Sequence, residues 1–274
     1  MKYLEWLAGL WRSINLFRLW GVLVQMHPTV LFFPAGWCLW NGWRMGGWPA
    51  VWESLLFLDI IFGSLLAHEF AHIAMARYYG FPANRILMLP FGCAAFLGEA
   101  PDEPRQEFWI AAAGPLASAL LAVAGGVPFF WLRRAGYWGS PGFEMLGLFA
   151  IFNGVTALFN LFPLFPMDGG RILRALLAMG LRRLLGWPPS AALHLASRVM
   201  VRWVGRPLVL AVALLTLFHP QAWIHLLLAG FLVLAGEAEL MLLTNDGYKA
   251  LADDTPVAAD AEVGPRKVRS PAAA

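Results

Sequence analysis

The stretch Leu65-Leu66-Ala67-His68-Glu69-Phe70-Ala71-His72 lies inside an apolar segment that runs from Val51 to about Tyr79. Two histidines four residues apart lie on one face of a helix, one turn from each other. Both imidazoles can then bind one tetrahedral zinc ion, while the glutamate beside the first can take a proton from a bound water. An ionisable side chain inside a membrane costs at least about 2.5 kcal/mol unless it is partnered. This stretch therefore predicts a zinc site within a membrane, with His68 and His72 as ligands and Glu69 as the base.

The composition predicts a polytopic membrane protein. Apolar residues make up 59% of the 274 residues and charged residues only 14%, whereas a soluble domain has about a quarter of its residues charged. The 14 tryptophans are typical of aromatic belts at both membrane surfaces. The net charge of +3 comes from basic residues beside apolar runs, so we expect no nucleic-acid partner.

The order of apolar segments predicts an all-α fold with about six transmembrane helices. We expect an amphipathic helix on the membrane surface over residues 1–20, with a frayed terminus as the alternative. The predicted spans are residues 20–43, 51–79, 106–132 and 143–162, followed by two short ones centred on 207–218 and 221–243. Gly114-Pro115 predicts a break in the third span. Residues 85–97 predict a β-hairpin or re-entrant element between the second and third spans, buried against protein.

Three regions follow from this organisation. Residues 1–19 form an N-terminal amphipathic segment, residues 20–243 form the membrane core, and residues 244–274 form a polar tail that we expect to be disordered. With six spans and a cytoplasmic N-terminus, all basic residues except Arg44, Arg133 and Arg134 lie inside. The bias of basic residues toward the cytoplasm therefore predicts that both termini are cytoplasmic.

A catalytic zinc normally takes a third protein ligand and leaves one position for water. The remaining histidines are scattered along the chain, in surface segments or at the opposite face. Asp168 is the better candidate, because it follows the proline-broken end of the fourth span in Pro166-Met167-Asp168-Gly169-Gly170. The two glycines would let the backbone turn tightly around it. An ordinary turn is the alternative for this pattern.

With these two motifs the chain resembles the site-2 protease family of intramembrane zinc metalloproteases. His68-Glu69-Phe70-Ala71-His72 matches the family's HExxH motif, and Asn160 to Gly169 matches its NxxPxxPxDG motif. Ala113-Gly114-Pro115-Leu116-Ala117 in the third span and the glycine-containing hairpin support the resemblance, which covers most of residues 20–240. The short loops and tail would make this chain a compact member without a PDZ or CBS domain, in a bacterial inner membrane.

The resemblance implies a role for each matching residue. His68, His72 and Asp168 would bind one zinc ion, Glu69 would activate the water, and Asn160 would bind the substrate backbone or stabilise the oxyanion. Asn153, Thr156 and Asn160 also form a polar stripe on one face of the fourth span, which should face the interior; for Asn153 and Thr156 we favour hydrogen bonding between helices.

Two residues depart from the family's pattern. Cys93 stands where many members have a second glycine, and Ser118 where an asparagine is frequent. We expect neither to touch the metal site. Asp59 precedes His68 by about two and a half helical turns on the second span and faces roughly away from it. It would either line a water path or be a hydrogen-bonded structural residue.

The resemblance implies a reaction and a class of partner. The enzyme would hydrolyse a peptide bond within or near the transmembrane segment of a single-pass membrane protein, in the lipid bilayer. The hairpin would hold the unwound substrate by edge pairing. The rival interpretation is a zinc-binding membrane protein without protease activity, either a transporter or an inactive scaffold. A transporter would need several metal positions along a path, and a pure binder has no need of Glu69.

Overall fold

The structure, a computed structural model, describes residues 13–45, 47–89, 92–97, 101, 103–216 and 222–242. Its strands are β1 (Ile14–Leu19), β2 (Val22–Met26), β3 (Ala83–Leu89) and β4 (Gly92–Leu97). Its α-helices are α1 (Phe32–Met45), α2 (Trp48–Tyr78), α3 (Pro104–Arg134), α4 (Pro141–Asn160), α5 (Asp168–Leu185), α6 (Pro189–Val199), α7 (Arg206–Thr216) and α8 (Ala222–Leu242). A 3-10 turn (Pro28–Leu31) precedes α1, and a π-helical turn (Met200–Gly205) joins α6 to α7.

Three of the described helices are long and apolar enough to cross a membrane: α2, α3 and residues Gly142–Asn160 of α4. They fall where three of the spans are predicted. Large apolar side chains on their outer faces are exposed, such as Leu120 at 70% and Leu158 at 74%. In water such a surface would be unfavourable, so these faces are suited to lipid. Helix α3 contacts α2, α4 and α5 and therefore lies at the centre of the group.

Helix α3 is continuous, so the predicted break at Gly114-Pro115 is wrong. Pro115 and Pro128 both lie inside the helix. A proline removes one hydrogen bond of the helix, but membrane helices tolerate this where neighbouring helices support the backbone. Gly114 and Pro115 are buried at this point, and the helix continues without a break past the two histidines of α2.

The four strands form one sheet in the order β1-β2-β3-β4. The β1–β2 and β3–β4 pairs are antiparallel, while β2 and β3 run parallel. Val22 and Val24 of β2 pack with Ile86 of β3 against Phe70 and Ile73 of α2, and all five side chains are buried. The sheet is thereby fixed to the half of α2 that carries the histidines.

The helix predicted over residues 1–20 is wrong for Ile14–Leu19, which form strand β1; residues 1–12 lie outside the described part. The predicted first span over 20–43 is also wrong as a single helix. Trp20 and Gly21, with φ of 50° and 75°, make the two-residue turn of a hairpin, a conformation that matches the twist of the flanking strands. Helix α1 contains only the last part of that predicted span and is 14 residues long.

The count of six spans is not confirmed. Helix α7 has 11 residues and α8 has 21, and residues 217–221 between them lie outside the described part. Helices α6 and α7 with the π-helical turn form one unbroken helical run from Pro189 to Thr216. Strands β3 and β4 pair within the segment predicted as a hairpin, but the number of spans before it remains a prediction, as does the disorder of residues 244–274.

Candidate metal centre

Three buried side chains converge at the junction of α2, α3 and α5. His68 and His72 lie on α2, and Asp168 is the first residue of α5. His68 Nε2 lies 3.1 Å from Asp168 Oδ2, His72 Nε2 lies 3.2 Å from the same oxygen, and the two Nε2 atoms are 3.2 Å apart. Among the described residues, this is the group of histidine, cysteine and acidic side chains that could hold a metal ion.

The outer nitrogen of each imidazole is held by helix α3. His72 Nδ1 lies 2.7 Å from the carbonyl oxygen of Ile110, and His68 Nδ1 lies 2.9 Å from Ser118 Oγ. A carbonyl only accepts hydrogen bonds, so His72 Nδ1 carries a proton, and in the neutral imidazole its Nε2 then presents a lone pair. Such partners fix the orientation of metal-binding histidines. The expectation that Ser118 does not touch the site is therefore wrong.

The geometry of the three ligand atoms fits a tetrahedral metal ion. Ligand atoms about 2.0–2.1 Å from a tetrahedral zinc lie about 3.3–3.4 Å from each other, close to the three distances seen here. A Cβ on Gly114 would lie 2.2 Å from His72 Nε2 and 2.6 Å from His68 Nε2. The glycine thus keeps open the space that faces both nitrogens. With both imidazoles neutral and protonated at Nδ1, all three atoms would present lone pairs, and a cation between them would satisfy all three.

The charge of Asp168 suits a metal ligand. Burial alone would raise the pKa of its carboxyl group, but the charges of His72 and His68 and their hydrogen bonds outweigh burial and lower the pKa below its ordinary value. The group is therefore an ionised carboxylate at neutral pH. The side chain is buried, and a buried carboxylate needs such partners.

The glycines after Asp168 serve a purpose different from the predicted tight turn. Gly169 and Gly170 form the first turn of α5. A Cβ on Gly169 would lie 2.2 Å from the carbonyl oxygen of Leu161, and one on Gly170 would lie 2.8 Å from the carbonyl carbon of Leu164. The glycines therefore let the start of α5 approach the preceding loop closely, which brings Asp168 to the histidines.

The Glu69 side chain is half-buried. Its carboxylate interacts electrostatically with His72, His68 and Asp168, and also with Arg171. Burial, together with the charge of Glu69, raises the pKa of Cys93 on β4 to about 12. The Cys93 thiol is therefore protonated at neutral pH, and strand β4 lies on the Glu69 side of the centre.

The other predicted residues lie around this centre. Asn153 is buried and its Nδ2 donates to Ser64 Oγ on α2 at 2.9 Å, which agrees with the helix-bridging interpretation. Thr156 is also buried. Asn160 is half-buried and its Nδ2 donates to the carbonyl oxygen of Thr156 at 3.0 Å, so its role toward a substrate remains a prediction. Asp59 is exposed and lies in a cavity of about 460 Å³ between α2 and α4.

Ser118 and the carbonyl group of Ile110 are the participants that sequence reasoning missed. A signal for them exists: Ile110, Gly114 and Ser118 recur every four residues, so one face of α3 carries all three. The carbonyl group itself has no signature in the sequence. Its contribution becomes visible only when α3 is placed against α2.

The model of peptidase family M50 matches residues 56–133 and 138–201 of the chain. A zinc metalloprotease of Methanocaldococcus jannaschii is 33% identical over 171 residues, which are 61% of this chain and 46% of that protein. Rip3 of Mycobacterium tuberculosis is 34% identical over 179 residues, 60% of this chain and 44% of that protein. The chain thus spans less than half the length of these relatives.

The site-2 protease of Methanocaldococcus jannaschii has a similar structure, with a TM-score of 0.55 and 27% sequence identity. The match covers 84% of this chain and 95% of that one. The residues matched by the family model include all three side chains of the centre, together with Glu69 and Asn160. The chain therefore belongs to peptidase family M50, the family of the site-2 proteases.

Proposed function

We propose that this protein is an intramembrane zinc metalloprotease that hydrolyses a peptide bond within or near the transmembrane segment of single-pass membrane proteins. In this proposal His68, His72 and Asp168 hold one zinc ion, and Glu69 is the general base. The observation that carries it is the convergence of three ligand atoms, 3.1–3.2 Å apart, beside Glu69 and among apolar helices. Binding alone would not need the glutamate.

The chemistry divides between the ion and the protein. When bound, zinc polarises the scissile carbonyl group and favours ionisation of water. Glu69 takes the proton from the attacking water and passes it to the leaving amine. Asn160, at the end of α4, hydrogen bonds to the substrate carbonyl or backbone. Ser118 and Ile110 hold the imidazoles in place, so the ligand set does not reorganise during the reaction.

Strand β4 is the element best placed to hold the substrate. It is the last strand of the sheet, and on its outer side no strand of the described part pairs with it. An extended peptide can add to such an edge through backbone hydrogen bonds. A substrate helix must unwind before its peptide bond can be attacked, and the β4 edge would satisfy backbone groups that lipid cannot.

The setting of the reaction follows from the helices and the basic residues. The candidate membrane-spanning helices α2, α3 and α4 support a centre inside a bilayer, with lipid and a membrane-embedded substrate as its partners. The asymmetry of arginine and lysine favours an orientation with both termini cytoplasmic, and a bacterial inner membrane is the setting expected for a compact member of this family. Cleavage there would release the cytoplasmic part of a substrate, which is regulated intramembrane proteolysis.

The experiment compares four purified proteins in detergent: wild type, Glu69→Gln, Asp168→Ala and Glu53→Gln. Glu53 is a matched control because it is an exposed glutamate on the same helix. Each protein is assayed for bound zinc and for cleavage of a panel of single-span substrates. We expect Glu69→Gln to keep its zinc and lose about 10²–10⁴-fold in rate, the usual contribution of a general base. Asp168→Ala should lose both, and Glu53→Gln neither.

The outcomes separate the proposal from its rivals. One zinc per chain with no cleavage of any substrate would favour the scaffold or transport function. Cleavage that persists in Glu69→Gln would remove the glutamate from the mechanism. A wild-type protein that binds no zinc would contradict the proposal as a whole.

A further inference from the structure

Arg174 on α5 is the largest of the fully buried side chains in the described part, and it is 2% exposed. Its Nη2 pairs with Oε1 of Glu107 on α3, which is equally buried. Its Nη1 lies 2.9 Å from Oε1 of Glu239 on α8. One guanidinium group therefore joins three helices inside the molecule. A buried arginine is tolerated only with such partners.

Arg174 is linked to the chain on both sides of Asp168, the proposed third zinc ligand. Asp168 begins the helix that carries Arg174, less than two turns earlier. The guanidinium carbon also lies 5.1 Å from the centre of the Phe165 ring, and Phe165 belongs to the loop just before Asp168. Arg174 thus touches the chain on the loop side of Asp168 and is covalently tied to it on the helix side.

The other end of the ion pair lies on the helix that orients the histidines. Glu107 precedes Ile110 on α3 by less than one turn. The carbonyl oxygen of Ile110 accepts the hydrogen bond from His72 Nδ1, at 2.7 Å. The pair between Glu107 and Arg174 therefore connects the element that holds the first two ligands to the element that supplies the third.

We propose that Arg174 is a positioning residue that keeps Asp168 in register with His68 and His72. This inference rests on the proposed zinc centre. The planar guanidinium can reach Glu107 and Glu239 at once while its face lies on the Phe165 ring. A lysine would keep the charge but present a single ammonium group, so it could not pair with both glutamates while lying flat on the Phe165 ring.

A second ion pair between the same two helices provides a matched control. Arg182 on α5 pairs with Glu103 on α3. These side chains are 37% and 44% exposed, respectively, and Arg182 is near the far end of α5. If any charge pair between α3 and α5 sufficed, Arg182 would matter as much as Arg174. Exposed pairs usually contribute little, so we expect that it does not.

The test measures zinc affinity in the full-length protein, by competition with a chromophoric chelator after the metal has been removed. The variants are Arg174→Lys, Glu107→Gln, Glu239→Gln and Arg182→Lys. We expect Arg174→Lys and Glu107→Gln to bind zinc about 10–100-fold more weakly, as is usual when a group that orients metal ligands is lost. Arg182→Lys should stay within about threefold of wild type, because it does not connect α3 to the start of α5. Glu239→Gln should fall between these results, because it removes one of the two carboxylate partners of Arg174 but leaves the pair with Glu107.

A second measurement separates positioning from simple destabilisation. Hydrogen–deuterium exchange of the metal-free proteins reports on residues 164–170 directly. Exchange there should accelerate in Arg174→Lys and not in Arg182→Lys, while both proteins keep a cooperative thermal transition. Glu107→Gln carries the test if Arg174→Lys does not fold, because its amide keeps the shape and accepts a hydrogen bond.

Several results would overturn the inference. A folded Arg174→Lys with wild-type zinc affinity would do so, and so would an equal loss in Arg182→Lys. If neither Arg174→Lys nor Glu107→Gln folds, the pair is a contact for stability and the positioning role is wrong. Absence of zinc from the wild-type protein would instead contradict the proposed function, so the two failures are distinguishable.

Discussion

Gly114 is the residue at which the centre leaves least room for change. It faces the Nε2 atoms of both histidines, and a methyl group there would lie 2.2 Å from one and 2.6 Å from the other. Such distances are well inside van der Waals contact, so both imidazoles would have to rotate away. Rotation would break their hydrogen bonds to Ile110 and Ser118 as well. The glycine is therefore required by the geometry of the ligands.

We expect Gly114→Ala to weaken zinc binding by at least about 100-fold, the upper end of the effects of residues that orient metal ligands. Gly126→Ala is the control, because Gly126 lies on the same helix and its Cβ would be 3.7 Å from the Ala150 Cβ, an ordinary contact. Zinc affinity of the two folded variants checks the prediction. Wild-type affinity in Gly114→Ala would mean that the space beside the histidines is not where the metal binds.

Two of the three glycines in α5 have opposite expected effects. Gly169 packs against the backbone of the loop before the helix, where a Cβ would lie 2.2 Å from the Leu161 carbonyl oxygen. Gly180, further along α5, has open space around its Cβ position. A backbone group cannot move aside as a side chain can, so the two positions test whether α5 is held by its first turn.

We expect Gly169→Ala to lower the free energy of unfolding by about 3 kcal/mol or more, at the upper end of overpacking effects. Gly180→Ala should raise it by about 0.5–1 kcal/mol, because alanine is the better helix former. Unfolding titrations in mixed micelles measure both. Equal effects of one sign would show that the start of α5 is not packed as described.

Elements formed by local sequence patterns could be predicted, whereas elements formed by contacts between distant parts of the chain could not. Helices α2, α3 and α4 follow from long apolar runs, which are local patterns. The sequence predicts helix where strands β1 and β2 form, because residues 14–26 are apolar at the spacing of a helix as well as of a strand. What decides between them is the parallel pairing of Val24 with Ile86. That contact spans more than sixty residues and has no local signature.

The same reasoning applies to the site. The two histidines and Glu69 could be predicted because their spacing on a helix is itself the chemical requirement. Asp168 could be predicted less directly, from a motif at the end of a span. The contact between Ser118 and His68 depends on how α3 packs on α2, so sequence reasoning placed Ser118 away from the metal. Its role became clear only from the fold.

At the scale of the whole molecule, the orientation in the membrane can be tested with single cysteines. In a background with Cys38 and Cys93 replaced by alanine, Tyr137→Cys lies between α3 and α4, and Ser190→Cys lies near the start of α6. Both native side chains are exposed. With cytoplasmic termini, a membrane-impermeant maleimide should label Tyr137→Cys in intact cells and Ser190→Cys only after permeabilisation.

The reverse labelling pattern would invert the proposed orientation. Labelling of both cysteines in intact cells would mean that the chain between them does not cross the membrane. Labelling of neither before permeabilisation would place both segments inside. The unlabelled background protein controls for reaction at other sites.

The centre is assembled from parts of the chain that are synthesised at different times. His68 and Asp168 are 100 residues apart, whereas His68 and Ser118 are 50 apart. At about 5–20 residues per second, the ribosome finishes the orienting helix first and adds the third ligand several seconds after the histidines. Tight metal capture must therefore wait until α2, α3 and α4 have been made. A nascent chain that ends before Asp168 therefore lacks the third ligand and cannot form the complete candidate metal centre.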